Sequence, residues 1–177
     1  MNYSAQISAA AGAAGIPASL ALAVAQRESG GRQYDSAGNV LTGSQGELGI
    51  FQLMPATAAE LGVDPRDPLE NIQGGVQFLA QLVNQFGLPA GLWAYNWGPG
   101  NVQAALAGQR TVPSTVKAYA NWVLSRANIT PGVQAASPAL QLSITGPGYT
   151  PPAAPASTFP WGWVLTGLVA AGLLIIA

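Results

Sequence analysis

The stretch that most restricts how this chain can fold is Asp67-Pro68-Leu69-Glu70 and the apolar stripe that follows it. An acid suited to an N-cap, a proline at the first helical position and a glutamate at the third make a strong helix start. Ile72, Val76, Leu79, Val83 and Phe86 then recur on one face, and Gly87 supplies the stop. Asp67 and Glu70 therefore read as structural. A stripe this long must be covered by other elements, and the rest of the chain offers helices. Pro17 opens one through Leu20 and Val24. Pro55 starts a short one that Gly62 ends, and Pro89 starts another through Leu92 and Trp93. A last one runs from about Ser114 to Arg126, with Val116, Tyr119 and Val123 inward and Trp122 beside them. The reading is all-α.

The helix from Pro17 ends in Gln26-Arg27-Glu28-Ser29-Gly30-Gly31. Leu20, Val24 and Glu28 are spaced by four, which places the acid on the apolar stripe. Desolvation and the negative pole of a helix C-terminus both disfavour the carboxylate, so a raised pKa and a proton ready for donation are expected. Taken alone, a glutamate half in water at a helix end fits the same residues.

Which chemistries remain open is a matter of composition. Cysteine and histidine are both absent, which excludes a disulfide framework, a Cys or His zinc site, a Ser-His-Asp triad and a Cys-His pair. Catalysis would have to run on carboxylates, hydroxyls, amides and the backbone. With 6 Lys plus Arg, 7 Asp plus Glu and a net charge of -1, no basic field exists to attract nucleic acid.

Gly30 to Gly46 has little periodicity and reads as a loop beside the end of the Glu28 helix. In Gly49-Ile50-Phe51-Gln52-Leu53-Met54-Pro55, Gln52 is the odd residue, an amide among apolar neighbours that must find either backbone or a polar ligand such as a sugar. Gly98-Pro99-Gly100 forces a turn after Tyr95 and Asn96, aiming a phenol and an amide from a helix end in the manner of a carbohydrate groove. Tyr95 and Trp97 are equally readable as core aromatics.

At the two ends the pattern changes. Residues 1–25 are apolar and alanine-rich without a basic start, and are not read as a signal peptide. Residues 127–158 shift to Pro, Ala, Ser, Thr and Gly without charge or periodicity, which reads as a linker. Residues 159–177 are uncharged and apolar with Trp161 and Trp163 at their start. About 19 residues suffice to cross a hydrocarbon core of about 30 Å as a helix, so a membrane anchor is expected.

Glu28-Ser29 at a helix end, the Gly49 to Pro55 segment and Ala94-Tyr95-Asn96-Trp97-Gly98-Pro99-Gly100-Asn101-Val102 stand in one order. Jointly they resemble the soluble lytic transglycosylases, the goose-lysozyme-like enzymes that cut peptidoglycan, over roughly residues 11–126. The resemblance implies a lysozyme-like helical domain at residues 1–126 that cleaves the MurNAc-GlcNAc β-1,4 bond of peptidoglycan. Glu28 would be the single catalytic acid and then base, assisted by the substrate's 2-acetamido oxygen, with the C6 hydroxyl closing a 1,6-anhydro ring. Ser29 would position Glu28 or the N-acetyl group, while Gln52, Tyr95 and Asn96 would line the groove, Phe51 would lie against the sugar and Tyr119 would contact substrate. No metal or cofactor is implied. One departure stands near the last helix: Pro113 and Tyr119 are kept, but Thr115 and Val116 replace the family's Glu-Thr pair. Two alternatives have distinct marks. A hydrolase would use Asp35 or Glu47 to activate water, and a membrane-anchored wall-binding or structural virion protein would have no need of Glu28.

Overall fold

The computed structural model describes residues 2–130. The rest of the expected linker and the expected anchor at residues 159–177 lie outside the described residues. Among the described residues there are seven helices: α1 (Ser4–Ala13), α2 (Ala18–Ser29), α3 (Pro55–Leu61), α4 (Pro68–Phe86), α5 (Ala90–Trp97), α6 (Pro99–Leu106) and α7 (Ser114–Ala127). None of them is long and apolar enough to cross a membrane.

Helix α4 starts as its sequence dictates, with the Asp67 carboxylate accepting the Leu69 and Glu70 amides at 2.8 and 2.9 Å. Ile72, Val76 and Leu79 are buried along its stripe. The helix packs on α1, α3 and α5, while α2 packs between α1 and α7. Leu20 and Val24 of α2, Ile50 and Phe51 of the connecting segment, Leu92 of α5 and Val123 of α7 join the α4 stripe in one core. A smaller cluster of Leu82, Ala90, Ala94 and Val102 holds α6 against the end of α4. Helix α5 lies unusually close to α4 at Gly91, where a Cβ would come within 2.8 Å of the Val83 Cα and 2.9 Å of the Leu82 oxygen. Backbone cannot yield there, so only glycine lets the two helices meet.

The structure adds detail that the sequence reading did not give. The apolar N-terminal run breaks into two helices, because Gly15 takes a left-handed φ of 70° and redirects the chain. The turn at Gly98 does not end the helical region, since Pro99 occupies the first position of α6 and suits it by its fixed φ. Trp122, beside the inward face of α7, is 38% exposed, with the Arg27 guanidinium 5.4 Å from its ring centre in a cation–π contact. The folded part also passes the expected boundary at Arg126, for Ala127 is buried and Ile129 packs on the core.

Candidate active site

Helix α2 delivers Glu28 in its last turn and then stops sharply. Gly30 and Gly31 both take left-handed φ values, 68° and 72°. Their amides bond back to the Gln26 and Ala25 carbonyls at 3.1 Å each, a double closure that leaves no further turn of helix to cover the acid. Burial is the main cause of a raised Glu28 pKa; the Tyr119 hydrogen bond and the Arg27 charge oppose it, and Glu47 adds to it. The expected proton donor is thus matched by its surroundings. The Tyr119 hydroxyl donates to Glu28 Oε1, which leaves the other carboxyl oxygen to carry the transferable proton. Tyr119 itself stays a neutral phenol, since burial and the nearby Glu28 charge push its pKa well up.

Beside Glu28 the chain from Gly43 to Met54 is held by amides from elsewhere. Fully buried Asn71 accepts the Phe51 amide at 2.9 Å and donates to the Leu48 and Pro65 carbonyls at 2.8 and 2.9 Å. Gln33, also buried, accepts the Ile50 amide at 3.0 Å and donates to Pro65 and Arg66. Both side chains press on Gly49, where a Cβ would collide with each of them. Pinned from two sides, the segment carries Gln52 at a φ of 46°, a left-handed conformation that side chains other than Gly, Asn and Asp seldom take.

Glu28, Gly43 to Gln45, Glu47, Gln52 to Met54, Phe78, Tyr95, Asn96 and Pro99 line a cleft of about 570 Å³. Of the residues expected at the site, Glu28, Gln52, Tyr95 and Asn96 therefore share one surface. Tyr95 packs its ring on Phe78, centroids 5.6 Å apart, and donates its hydroxyl to the Phe51 carbonyl at 2.7 Å. Burial keeps its pKa well above the ordinary range. Asn96 is exposed at the cleft.

Three expectations need correction. Phe51 does not lie against a sugar: it is fully buried, with its side chain where a Cβ on Gly75 of α4 would sit. Ser29 has no free reach to an N-acetyl group, because its buried hydroxyl donates to the Ile50 carbonyl at 2.8 Å and accepts the Arg32 amide at 3.0 Å. It ties the end of α2 to the pinned segment, which keeps its positioning part. Tyr119, expected to contact substrate, is 5% exposed, is not among the cleft-lining residues and bonds Glu28 from the protein side. Replacing it separates the two effects. In Tyr119→Phe the lost donor lets the Glu28 pKa rise further, so the alkaline limb of any Glu28-dependent activity should move to higher pH while kcat/KM falls about tenfold or more. A pH profile checks both, and a limb that moves to lower pH would refute this placement.

Asp35 is outside the cleft. Its exposed carboxylate accepts the Ala37 and Asn39 amides at 2.8 and 2.9 Å in a tight turn, and those bonds lower its pKa. Glu47 is in the cleft wall. The sequence offered it only as the water-activating carboxylate of a hydrolase, and it did not point to Asn71 or Gln33. Their only signal was an amide at the buried start of α4 and another in a polar loop.

The described residues thus form a helical domain with a buried acid at a helix end, facing a groove lined by amides and a phenol. The chain belongs to the Transglycosylase SLT domain family, matched over residues 5–118. It is 44% identical over 69 residues to a transglycosylase of Enterobacteria phage PRD1, covering 37% of this chain and 26% of that protein. Among solved structures it is similar to an inactive mutant of lytic transglycosylase Slt from Pseudomonas aeruginosa, with TM-score 0.59 and 27% identity over 70% of this chain. The 70-kDa soluble lytic transglycosylase of Escherichia coli gives TM-score 0.60 and 26% identity over 71% of the chain. The chain spans only 23% of each of those enzymes.

Proposed function

We propose that this protein is a peptidoglycan lytic transglycosylase with Glu28 as its sole proton-transfer residue. The carrying observation is the Glu28 carboxyl, proton-retaining by burial, fixed at one oxygen by Tyr119 and presented to the cleft. Protonated Glu28 gives its proton to the glycosidic oxygen as the C1–O bond breaks. The substrate's 2-acetamido oxygen supports the developing charge at C1. Glu28, now a carboxylate, takes the proton of the C6 hydroxyl as that oxygen bonds to C1, so the product carries a 1,6-anhydro ring and no water is consumed. Gln52 and Asn96 orient the sugars along the groove, and the neutral Tyr95 fixes the Phe51 carbonyl beneath them. Incubation with purified peptidoglycan should release soluble muropeptides; a folded protein that releases none would refute the reading.

The alternative of hydrolysis keeps one support, the Glu47 carboxylate in the cleft wall. It predicts reducing MurNAc ends. Asp35 offers it nothing, being committed to its own turn.

For residues 159–177 we propose a membrane anchor that holds the domain near the wall, as in a phage protein carried on a virion membrane. The support is the uncharged apolar run with tryptophans at its start. Fused to a soluble reporter, the run should send it to membranes in a form resistant to high salt, since apolar burial is insensitive to screening. Val169→Arg should release it, given an insertion penalty of about 2.5 to 3.5 kcal/mol at a helix centre. A reporter that stays soluble with the wild-type run would overturn the proposal.

A further inference from the structure

Among the described residues, Glu47 is the cleft-lining carboxylate that the proposed reaction leaves without a task. Its surroundings are specific. The Oε2 atom of Glu47 and the Oε1 atom of Gln52 both occupy the space where a Cβ on Gly43 would stand, so two acceptor oxygens converge over bare backbone. Gln52 cannot turn its amide to offer a donor instead. Its Nε2 faces the Gly49 carbonyl at 2.7 Å and the Leu41 carbonyl at 3.4 Å, and a flipped amide would set oxygen against oxygen at both. Glu47 is similarly tethered, its Oε2 accepting the Gln45 amide at 2.9 Å and its backbone oxygen accepting the Gly43 amide at 2.8 Å. Among the described residues, no lysine or arginine lines this cleft. The pair therefore presents acceptors to whatever fills the groove, and a neutral polyol supplies the matching donor.

We propose that the Glu47 carboxylate and the Gln52 amide oxygen together take a hydroxyl of the bound glycan, which makes Glu47 a specificity-determining residue of the cleft. The proposal rests on the glycan-cleaving reading, and it concerns ground-state recognition, apart from the proton transfers of Glu28. Hydrogen bonds from a hydroxyl to a carboxylate are among the stronger neutral-to-ion contacts. Their loss should fall on KM more than on kcat. Gly43 has no other reason to lack a side chain, since its φ is not in the left-handed region; a methyl there must push aside the ends of Glu47 and Gln52.

Binding of a GlcNAc tetramer to the chain carrying Glu28→Gln, followed by tryptophan fluorescence, tests recognition without turnover. Adding Glu47→Gln should weaken the Kd about tenfold, and adding Gly43→Ala should do the same with unchanged circular dichroism. In the chain with Glu28 intact, each single variant should raise KM for peptidoglycan by a larger factor than it lowers kcat. A Kd within twofold for Glu47→Gln would overturn the proposal. So would reducing ends released by the wild-type chain and lost in Glu47→Gln, for the carboxylate would then be activating water. The binding result stands whether or not the wild-type chain cleaves, so a failure of the proposed activity is seen separately in the muropeptide assay.

Discussion

Glu28→Gln should abolish cleavage and at the same time make the protein more stable at neutral pH. The amide is close to isosteric and can still accept the Tyr119 hydroxyl, but it has no proton to give the leaving oxygen, so activity should fall by a factor of about 10² to 10⁴ or more. The stability change follows from the raised Glu28 pKa, which burial causes. Below the ordinary value of 4.5 the carboxyl is protonated both folded and unfolded, and the native state bears no penalty. As pH rises above 4.5 the unfolded chain loses the proton first, so native stability declines until the pH has passed the folded-state pKa. At pH 7 the wild-type chain carries a cost of this kind and the glutamine variant none. Thermal melts should therefore show a higher Tm for Glu28→Gln at pH 7, with the difference shrinking towards pH 4. Equal stability across that range would mean that the acid is not held protonated by burial.

Asn71→Ala should have the largest effect on the fold. The side chain is fully buried and makes three hydrogen bonds, but their losses are unequal. The Leu48 carbonyl still accepts the Leu53 amide at 3.0 Å, and the Pro65 carbonyl still accepts Gln33 Nε2 at 3.1 Å. The Phe51 amide has only the Asn71 oxygen, and it would be left buried without an acceptor. An orphaned buried amide together with the small cavity should cost about 2 to 4 kcal/mol, or a fall in Tm on the order of 10 °C. Activity should drop too, because Gln52 follows Phe51 directly and owes its left-handed conformation to the pinned segment. Urea denaturation checks the first effect and muropeptide release at low temperature the second. A loss below about 0.5 kcal/mol would show that water or a shifted loop satisfies the Phe51 amide.

The helices were legible in the sequence where one local rule sufficed. The cap at Asp67, the stripe of α4 and the glycine stop after Glu28 all depend on residues within a few positions of one another. The acid on the α2 stripe was legible for the same reason, and its raised pKa followed from where the stripe faces. Roles that depend on contacts far along the chain were not. Phe51 and Gln52 are adjacent, yet the first is sealed against Gly75 and the second opens into the cleft, because Gln52 reverses the chain direction with a positive φ that no composition rule announces. Ser29 was expected to position Glu28 or the N-acetyl group and Tyr119 to contact substrate, yet both hydroxyls are turned to protein partners, since which side faces solvent is set by α7 and the segment at Ile50. The partner of Trp122 was not legible either, since Arg27, which offers its ring a cation at the surface, lies on another helix.

The most direct test of the central claim is the mass of the products released from purified peptidoglycan. If Glu28 serves as acid and then as base to the substrate's own C6 hydroxyl, the muropeptides should end in 1,6-anhydro-MurNAc and weigh one water less than hydrolysis products. Reducing MurNAc ends as the main product would contradict that account and would establish that water, not the sugar hydroxyl, attacks C1.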